Sequence, residues 1–373
     1  MEQVISEDEA RDLRIRAQLL ARDEGSKPLS VVDVVRQMVG LQAQDLMAAS
    51  LQVRARSHGL VHGDVTNALY HDRTMVRTWC LRGTLHLVAA EDVRWLLDLL
   101  GESLIGAARR RRSQLGLNEA TTERAVQVIE KALQKSGPLT RSEVFDRLAS
   151  AHIPYESQAG IHLIRTAGLM GLVCYGPERD GSETFVLIDD WIGSKGSGPR
   201  TGDATSELAR RYLSAYGPAA HADLAWWSGL GAAVAKAAFN GFAGELVRVG
   251  VSEKPAFVLA SHLGRGAGIA RQENRVTLLP AFDPYLLGYK DRSLAVEAAY
   301  IKNVNVGGGM LKPVVIANGH VVATWGSSKR RGLLEVSVEP LETLPPEMLT
   351  GLQAEAADLA RYIGMKHSLQ IKE

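Results

Sequence analysis

One phrase recurs three times in this chain and limits its architecture more than any other feature. It reads Lys27-Pro28-Leu29-Ser30-Val31-Val32-Asp33, then Gly137-Pro138-Leu139-Thr140-Arg141-Ser142-Glu143, and more loosely Gly217-Pro218-Ala219-Ala220-His221-Ala222-Asp223. Ser30 with Asp33 and Thr140 with Glu143 have capping-box chemistry. The cap hydroxyl takes the amide three residues on, and the carboxylate there returns to the cap amide, so each phrase predicts a helix start. Ser6 with Glu9 makes a similar box and predicts a helix over 6–22. The copies lie about 110 and then about 80 residues apart, too long for a solenoid unit and suited to a repeated domain.

The elements around each copy repeat as well. After the second come predicted helices 141–151 and 157–170, a strand Leu172–Tyr175, a Glu178-Arg179-Asp180-Gly181 turn and a strand Thr184–Ile188. Around the third come helices 205–215, 221–228 and 231–240, then strands 245–250 and 256–260. The first has a longer insert and a hairpin of Met75–Leu81 with Thr84–Val88 across Arg82-Gly83. Helices followed by a two-stranded hairpin give the winged-helix order, a helix-turn-helix variant. The glycine- and serine-rich stretch Gly193 to Pro199 has linker composition. The last hundred or so residues change to apolar strand runs at Val276–Pro280, Val314–Ala317, Val321–Trp325 and Leu333–Val338, with a hairpin signal at Asn318-Gly319 and a closing helix 346–363. The expected fold is α+β: three tandem winged-helix units at 1–115, 116–195 and 200–265, scaffolded by a small β-barrel or sheet with a terminal helix at 270–373.

Composition excludes several classes. Hydrophobic residues at 46% and charged residues at 23% describe a soluble globular chain. No apolar run approaches a membrane span, and the acidic, polar start from Met1 to Ala10 is not a signal peptide. Two cysteines, Cys80 and Cys174, fit a reducing cytoplasm and buried filler roles rather than a disulfide scaffold. With a net charge of +1, any basic surface for nucleic acid must be local. Arg54, Arg56, Arg73, Arg77 and Arg82 gather around the first unit and point to a negatively charged ligand there. Arg109 to Arg112, near an expected helix end, suit either a helix dipole or phosphate, and Ser327-Ser328-Lys329-Arg330-Arg331 reads as a cationic hairpin tip.

No metal site is expected, because His58 and His62 lack a third ligand nearby. Gly307-Gly308-Gly309 lacks a following phosphate-binding lysine and reads as a tight hairpin or bulge, with Met310-Leu311 beside it as a candidate apolar wedge. The stretch Val39-Gly40-Leu41-Gln42-Ala43-Gln44-Asp45 stands apart. In an extended segment residues two apart share a side, so the amides of Gln42 and Gln44 can reach one point in a cleft.

Gly40-Leu41-Gln42-Ala43-Gln44, Arg82-Gly83-Thr84-Leu85-His86-Leu87-Val88 and the segment from Phe282 to Arg292 together resemble the AlkZ-type DNA glycosylases of the tandem winged-helix (AlkZ/YcaQ) superfamily, in the family's order and over nearly the whole chain. The resemblance implies a C-shaped arrangement with a DNA-binding channel. It also implies monofunctional excision of N7-alkylated purines, including bulky natural-product adducts and interstrand cross-links, in DNA repair or self-resistance to a genotoxin. The family's Gln-x-Gln motif falls on Gln42 and Gln44, where a sister branch carries Gln-x-Asp.

On that basis Gln42 and Gln44 are the expected catalytic pair. Arg54, Arg56, Arg77, Arg82, Lys312, Lys329, Arg330 and Arg331 are the expected DNA contacts, with Asp45, His86, Asp283 and Tyr285 in supporting positions. The expected partner is double-stranded DNA containing an alkylated purine, bound by a monomer with no cofactor, no metal and no membrane, in the cytoplasm or at the nucleoid of a bacterium. The residues alone also fit a non-catalytic winged-helix protein, a transcription regulator or damage sensor, and a repeat protein that binds a toxin directly.

Overall fold

The computed structural model describes residues 3–21, 27–193, 203–263 and 275–372. In chain order its strands are β1 (Gln3–Ile5), β2 (Leu41–Gln42), β3 (Met75–Trp79), β4 (Leu85–Ala89), β5 (Leu139–Thr140), β6 (Val173–Arg179), β7 (Ser182–Leu187), β8 (Leu246–Val251), β9 (Lys254–Leu259), β10 (Val276–Leu279), β11 (Val314–Ala317), β12 (His320–Arg330), β13 (Leu333–Pro340) and β14 (Lys366–Ile371). The linker expected from Gly193 to Pro199 lies outside the described residues beyond Gly193.

Each recurring phrase starts a helix. Asp33 Oδ2 accepts from the Ser30 amide at 3.0 Å before Val31–Gln37, and Glu143 Oε2 accepts from the Thr140 amide at 2.7 Å before Arg141–Ser150. In the looser third copy Asp223 alone serves, taking the Ala220 amide at 2.9 Å at the head of His221–Ser228. The box of Ser6 and Glu9 opens Glu7–Ala17, which stops short of the expected 22 because Leu19 turns into left-handed backbone at φ 60°.

The strands form three sheets. The first is six-stranded, in the order β2-β4-β3-β6-β7-β5. Hairpins expected in two separate units are joined in it, because Arg77 of β3 pairs with Tyr175 of β6. Trp79, Tyr175 and Phe185 pack their rings at this join, with centroids 4.9–6.3 Å apart. Cys80 and Cys174 are free and buried, and burial pushes both thiols up, Cys80 to about 12.

The second sheet is β1-β8-β9, with β1 parallel to β8. Residues assigned by sequence to the first unit are therefore built into the third. Arg14 Nε donates to Pro218 O at 3.0 Å and Gln18 Nε2 to the Tyr289 hydroxyl at 3.0 Å.

The third sheet, β10 to β14 in sequence order, curls as a half-barrel with a bulge between Val315 and Ile316. It is open, with β10 and β14 as its edges, rather than a closed barrel. Asn318 and Gly319, at φ 49° and 87°, make the type I′ turn their chemistry favours. Helix Pro346–Ile363 buries Leu352, Ala356 and Leu359 against this sheet. No described helix is long and apolar enough to cross a membrane.

Candidate active site

The Gln-x-Gln segment is half strand and half helix cap. Leu41 and Gln42 form the edge strand β2, opposite Leu87 and His86 of β4. The Ala43 amide adds a bond to Leu85 O at 2.7 Å. Leu41 and Ala43 are fully buried, so alternation turns Gln42 and Gln44 to the other side. Asp45 caps the helix Leu46–Arg54, its Oδ1 taking the Ala48 amide at 2.9 Å.

Every carbonyl of the motif is gripped by a buried side chain. Gln52 Nε2 donates to Gln42 O at 3.0 Å, Arg77 Nε to Ala43 O at 2.8 Å, and Arg77 Nη2 to Gln44 O at 3.2 Å. Arg77 is in turn held by the Glu183 carboxylate and lies 4.5 Å over the Tyr175 ring. Gln52 is positioned by a deeper pair. Arg56 donates to Gln52 O at 3.1 Å and makes a two-bond contact with Asp283 at 2.7 and 2.9 Å, with both side chains essentially out of solvent.

The Gln42 amide is fixed as well. Arg82 Nη2 donates to Gln42 Oε1 at 2.7 Å, and its Nη1 donates to Trp227 O at 2.6 Å. A guanidinium only donates, so the oxygen of Gln42 must face Arg82, which leaves its NH₂ free to donate. Arg82 sits in left-handed backbone at φ 55°, on the turn Leu81–Gly83. Gly229, which ends His221–Ser228, packs so close that a Cβ there would lie 3.2 Å from Arg82 Cα. Behind the pair, His86 is buried with Nδ1 2.9 Å from Thr84 O. Burial, with the Arg82 charge second, holds its imidazole down to about 3. His86 is therefore neutral and an unsuitable base at neutral pH.

Gln42, Gln44 and Asp45 form one wall of an open cleft of about 870 Å³. Trp226, Phe282 and Met310 also line it, with Trp226 45% and Met310 51% exposed. Arg292 lies 6.0 Å over the Trp226 ring. Gly307, Gly308 and Gly309, all at positive φ, make the tight hairpin that carries Met310 into the cleft, while Leu311 turns inward and is buried.

A family model described as DNA glycosylase AlkZ-like matches residues 35–362. The chain belongs to the AlkZ-like DNA glycosylase family. The interstrand DNA cross-link repair glycosylase of Streptomyces sahachiroi is 29% identical over 346 residues, covering 90% of this chain and 91% of that protein. The solved Streptomyces sahachiroi DNA glycosylase AlkZ matches with a TM-score of 0.83 and 26% identity, over 99% of this chain and 100% of that one.

Several residues expected at DNA have other places in this AlkZ-like fold. Arg54 is buried and bonded to Glu355, Asp358 and Leu278 O at 2.8–2.9 Å. Arg56 is spent on Asp283 and Arg77 on the motif's own carbonyls. Arg73 stacks on Trp191 at 4.0 Å. Arg54, Arg56 and Arg77 are buried and their charges are taken up within the fold, as a buried cation requires, whereas Arg73 is half-buried. Tyr285 is also displaced from the site, buried with its hydroxyl on Gly319 O at 2.8 Å. Lys312 is half-buried, whereas Lys329, Arg330 and Arg331 are exposed at the β12–β13 tip. Gln52, bonded to the motif, and Trp226, lining the cleft, carry no short-range sequence signal, whereas Arg292, also lining it, closes the segment from Phe282 to Arg292. Among the described residues no group of three or more His, Cys, Asp or Glu side chains is placed to hold a metal.

Proposed function

We propose that this protein is a monofunctional DNA glycosylase that hydrolyses the N-glycosidic bond of N7-alkylated purines, including bulky adducts and interstrand cross-links. The observation that carries the reading is two neutral amides on one wall of an open cleft, with the oxygen of one already committed to Arg82. Three winged-helix units, a reading supported by helices followed by the hairpins β6–β7 and β8–β9, would lay the duplex across that cleft.

Amides suffice because the substrate supplies the driving force. Alkylation at N7 puts a positive charge on guanine. When the C1′–N9 bond breaks, its electron pair moves into the purine, which leaves neutral and needs no acid. The sugar passes through an oxocarbenium-like state, as in glycoside hydrolysis. Water adds to C1′ and gives its surplus proton to solvent, leaving an abasic deoxyribose. Gln44, exposed on the wall, accepts a hydrogen bond from that water through Oε1 and aims it. Gln42 donates its free NH₂ to a sugar or phosphate oxygen. Both act as preorganised dipoles, not as titrating bases.

The cleft's openness supports the bulky-substrate part of the reading. A cross-linked base cannot be extruded into a snug pocket, whereas a wide cleft walled by Trp226, Phe282 and Met310 receives the lesion against the backbone. The relative named for interstrand DNA cross-link repair supports the same substrate class. The test is a duplex carrying one defined N7–N7 cross-link, incubated with the protein and resolved on a denaturing gel. Separated strands bearing an abasic site are expected; a cross-link left intact, together with release of N7-methylguanine, would restrict the enzyme to monoadducts.

A further inference from the structure

Of the buried arginines, Arg11, Arg54, Arg56 and Arg77 sit against carboxylates. Along one line of mostly half-buried arginines the acceptors differ. Arg292 donates to Leu286 O at 2.8 Å, and Arg82 to Trp227 O and Gln42 Oε1. Arg165 Nε donates to Gly83 O at 2.9 Å, Arg112 Nη1 to Ile105 O at 2.7 Å, and Arg111 Nη2 to Gln158 Oε1 at 2.7 Å. Every one of these acceptors is neutral, and among the described residues none of these guanidiniums lies within 4 Å of a carboxylate oxygen. Arg110 is exposed and makes no hydrogen bond or ion pair among the described residues.

The line is continuous. Arg292 and Arg82 line the cleft. Gly83, next to Arg82, is the residue that Arg165 grips, and a Cβ on it would lie 2.1 Å from Arg165 Nη2. Arg165 and His162 share the helix Ala159–Leu169, and its cap residue Gln158 meets Arg111 of the short helix Arg109–Gln114. Burial, then the charges of Arg165, Arg111 and Arg112, holds His162 below its ordinary range, and burial with Arg112 lowers Arg165. The Nδ1 of His162 is buried without a partner. Arg109 alone meets a carboxylate, Glu119 at 2.7 Å, and that pair is exposed on both sides and weak.

We propose that this line, from Arg292 and Arg82 in the cleft across Arg165 to Arg111 and Arg110, is the track for the phosphate backbone of duplex DNA flanking the lesion. Guanidiniums on neutral acceptors are pre-positioned for phosphate without first breaking an ion pair. The inference rests on reading the cleft as the lesion site.

The test uses the full chain and a duplex with one tetrahydrofuran abasic analogue, with Kd measured across a range of salt. Arg110→Gln/Arg111→Gln changes two exposed positions, and Lys131→Gln/Lys135→Gln removes the same charge from an exposed helix off the line. The slope of log Kd against log salt is expected to fall by about one to two in the arginine variant, near 0.9 per lost phosphate contact. It is expected to hold in the lysine variant, whose single-turnover base release at saturating enzyme is also expected to be unchanged. An unchanged slope in the arginine variant, or an equal fall in both, would overturn the track. If wild type binds along the line yet releases no base, the glycosylase reading fails and the track survives. If wild type releases base with the slope untouched by the arginine changes, the track alone fails.

Discussion

Arg82 ties Gln42 to the third part of the fold: one guanidinium nitrogen holds Gln42 Oε1 at 2.7 Å while the other holds Trp227 O at 2.6 Å. Trp227 lies in the last turn of His221–Ser228, where exposed carbonyls favour a cation. The orientation of one amide is thus set by a helix far along the chain.

Arg82→Ala is expected to slow base release by about 10- to 100-fold, the scale of a lost charge-assisted hydrogen bond. Because Arg82 works through Gln42, the same change in a Gln42→Ala background should cost little more. A double-mutant cycle on single-turnover rates checks this. Additive losses at saturating enzyme would mean that Arg82 contributes to the chemical step independently of Gln42. Arg82→Lys, which keeps the charge but cannot bridge both acceptors, should recover only part of the rate.

The rate of base release is expected to be nearly flat between about pH 6 and 9, since neither amide titrates in that range. Acid should act on stability through His86, whose folded pKa of about 3 lies far below its ordinary 6.5. Above about 6.5 both folded and unfolded forms are neutral and the group contributes nothing. As pH falls from there toward 3, the unfolded chain takes up a proton that the fold refuses, so stability declines. Urea unfolding at pH 7 and pH 5 should show that loss in wild type and a smaller one in His86→Gln.

Asp283→Ala strips the partner from a fully buried Arg56 and is expected to destabilise the protein by about 3–5 kcal/mol. Gln52→Leu should be milder in stability, about 1–3 kcal/mol, yet should lower the rate, because it frees the Gln42 carbonyl. Denaturant titrations beside single-turnover assays separate the two outcomes. A Gln52 variant with full activity would remove that link from the site.

Trp226→Ala is expected to leave N7-methylguanine release within about threefold while cutting release of a bulky aromatic N7 adduct by about tenfold or more, the scale of one lost stacking contact. Equal effects on both substrates would show that Trp226 supports the cleft rather than selecting what enters it.

Local chemistry was legible in the sequence and long-range pairing was not. The caps at Ser30 and Thr140, the turn at Asn318-Gly319 and the shared side of Gln42 and Gln44 follow from short spacings, and the structure has each of them. Arg54 and Arg56 read as a basic cluster because their partners Asp358 and Asp283 lie 304 and 227 residues away. The join at Arg77 and Tyr175 and the pairing of β1 with β8 depend on register between distant strands, which no local signal carries. Trp226 escapes sequence reasoning for a simpler reason. Neighbours on a helix point about 100° apart, so Trp227 enters the core while Trp226 faces the cleft, and the dipeptide does not say which.

The most direct test is release of base from a duplex carrying a single N7-methylguanine, with wild type beside Gln42→Ala/Gln44→Ala and with DNA binding measured in parallel. Release by wild type that disappears in the double variant while binding persists is the expected result. Release that survives in the double variant would contradict the assignment of the Gln pair as the catalytic centre.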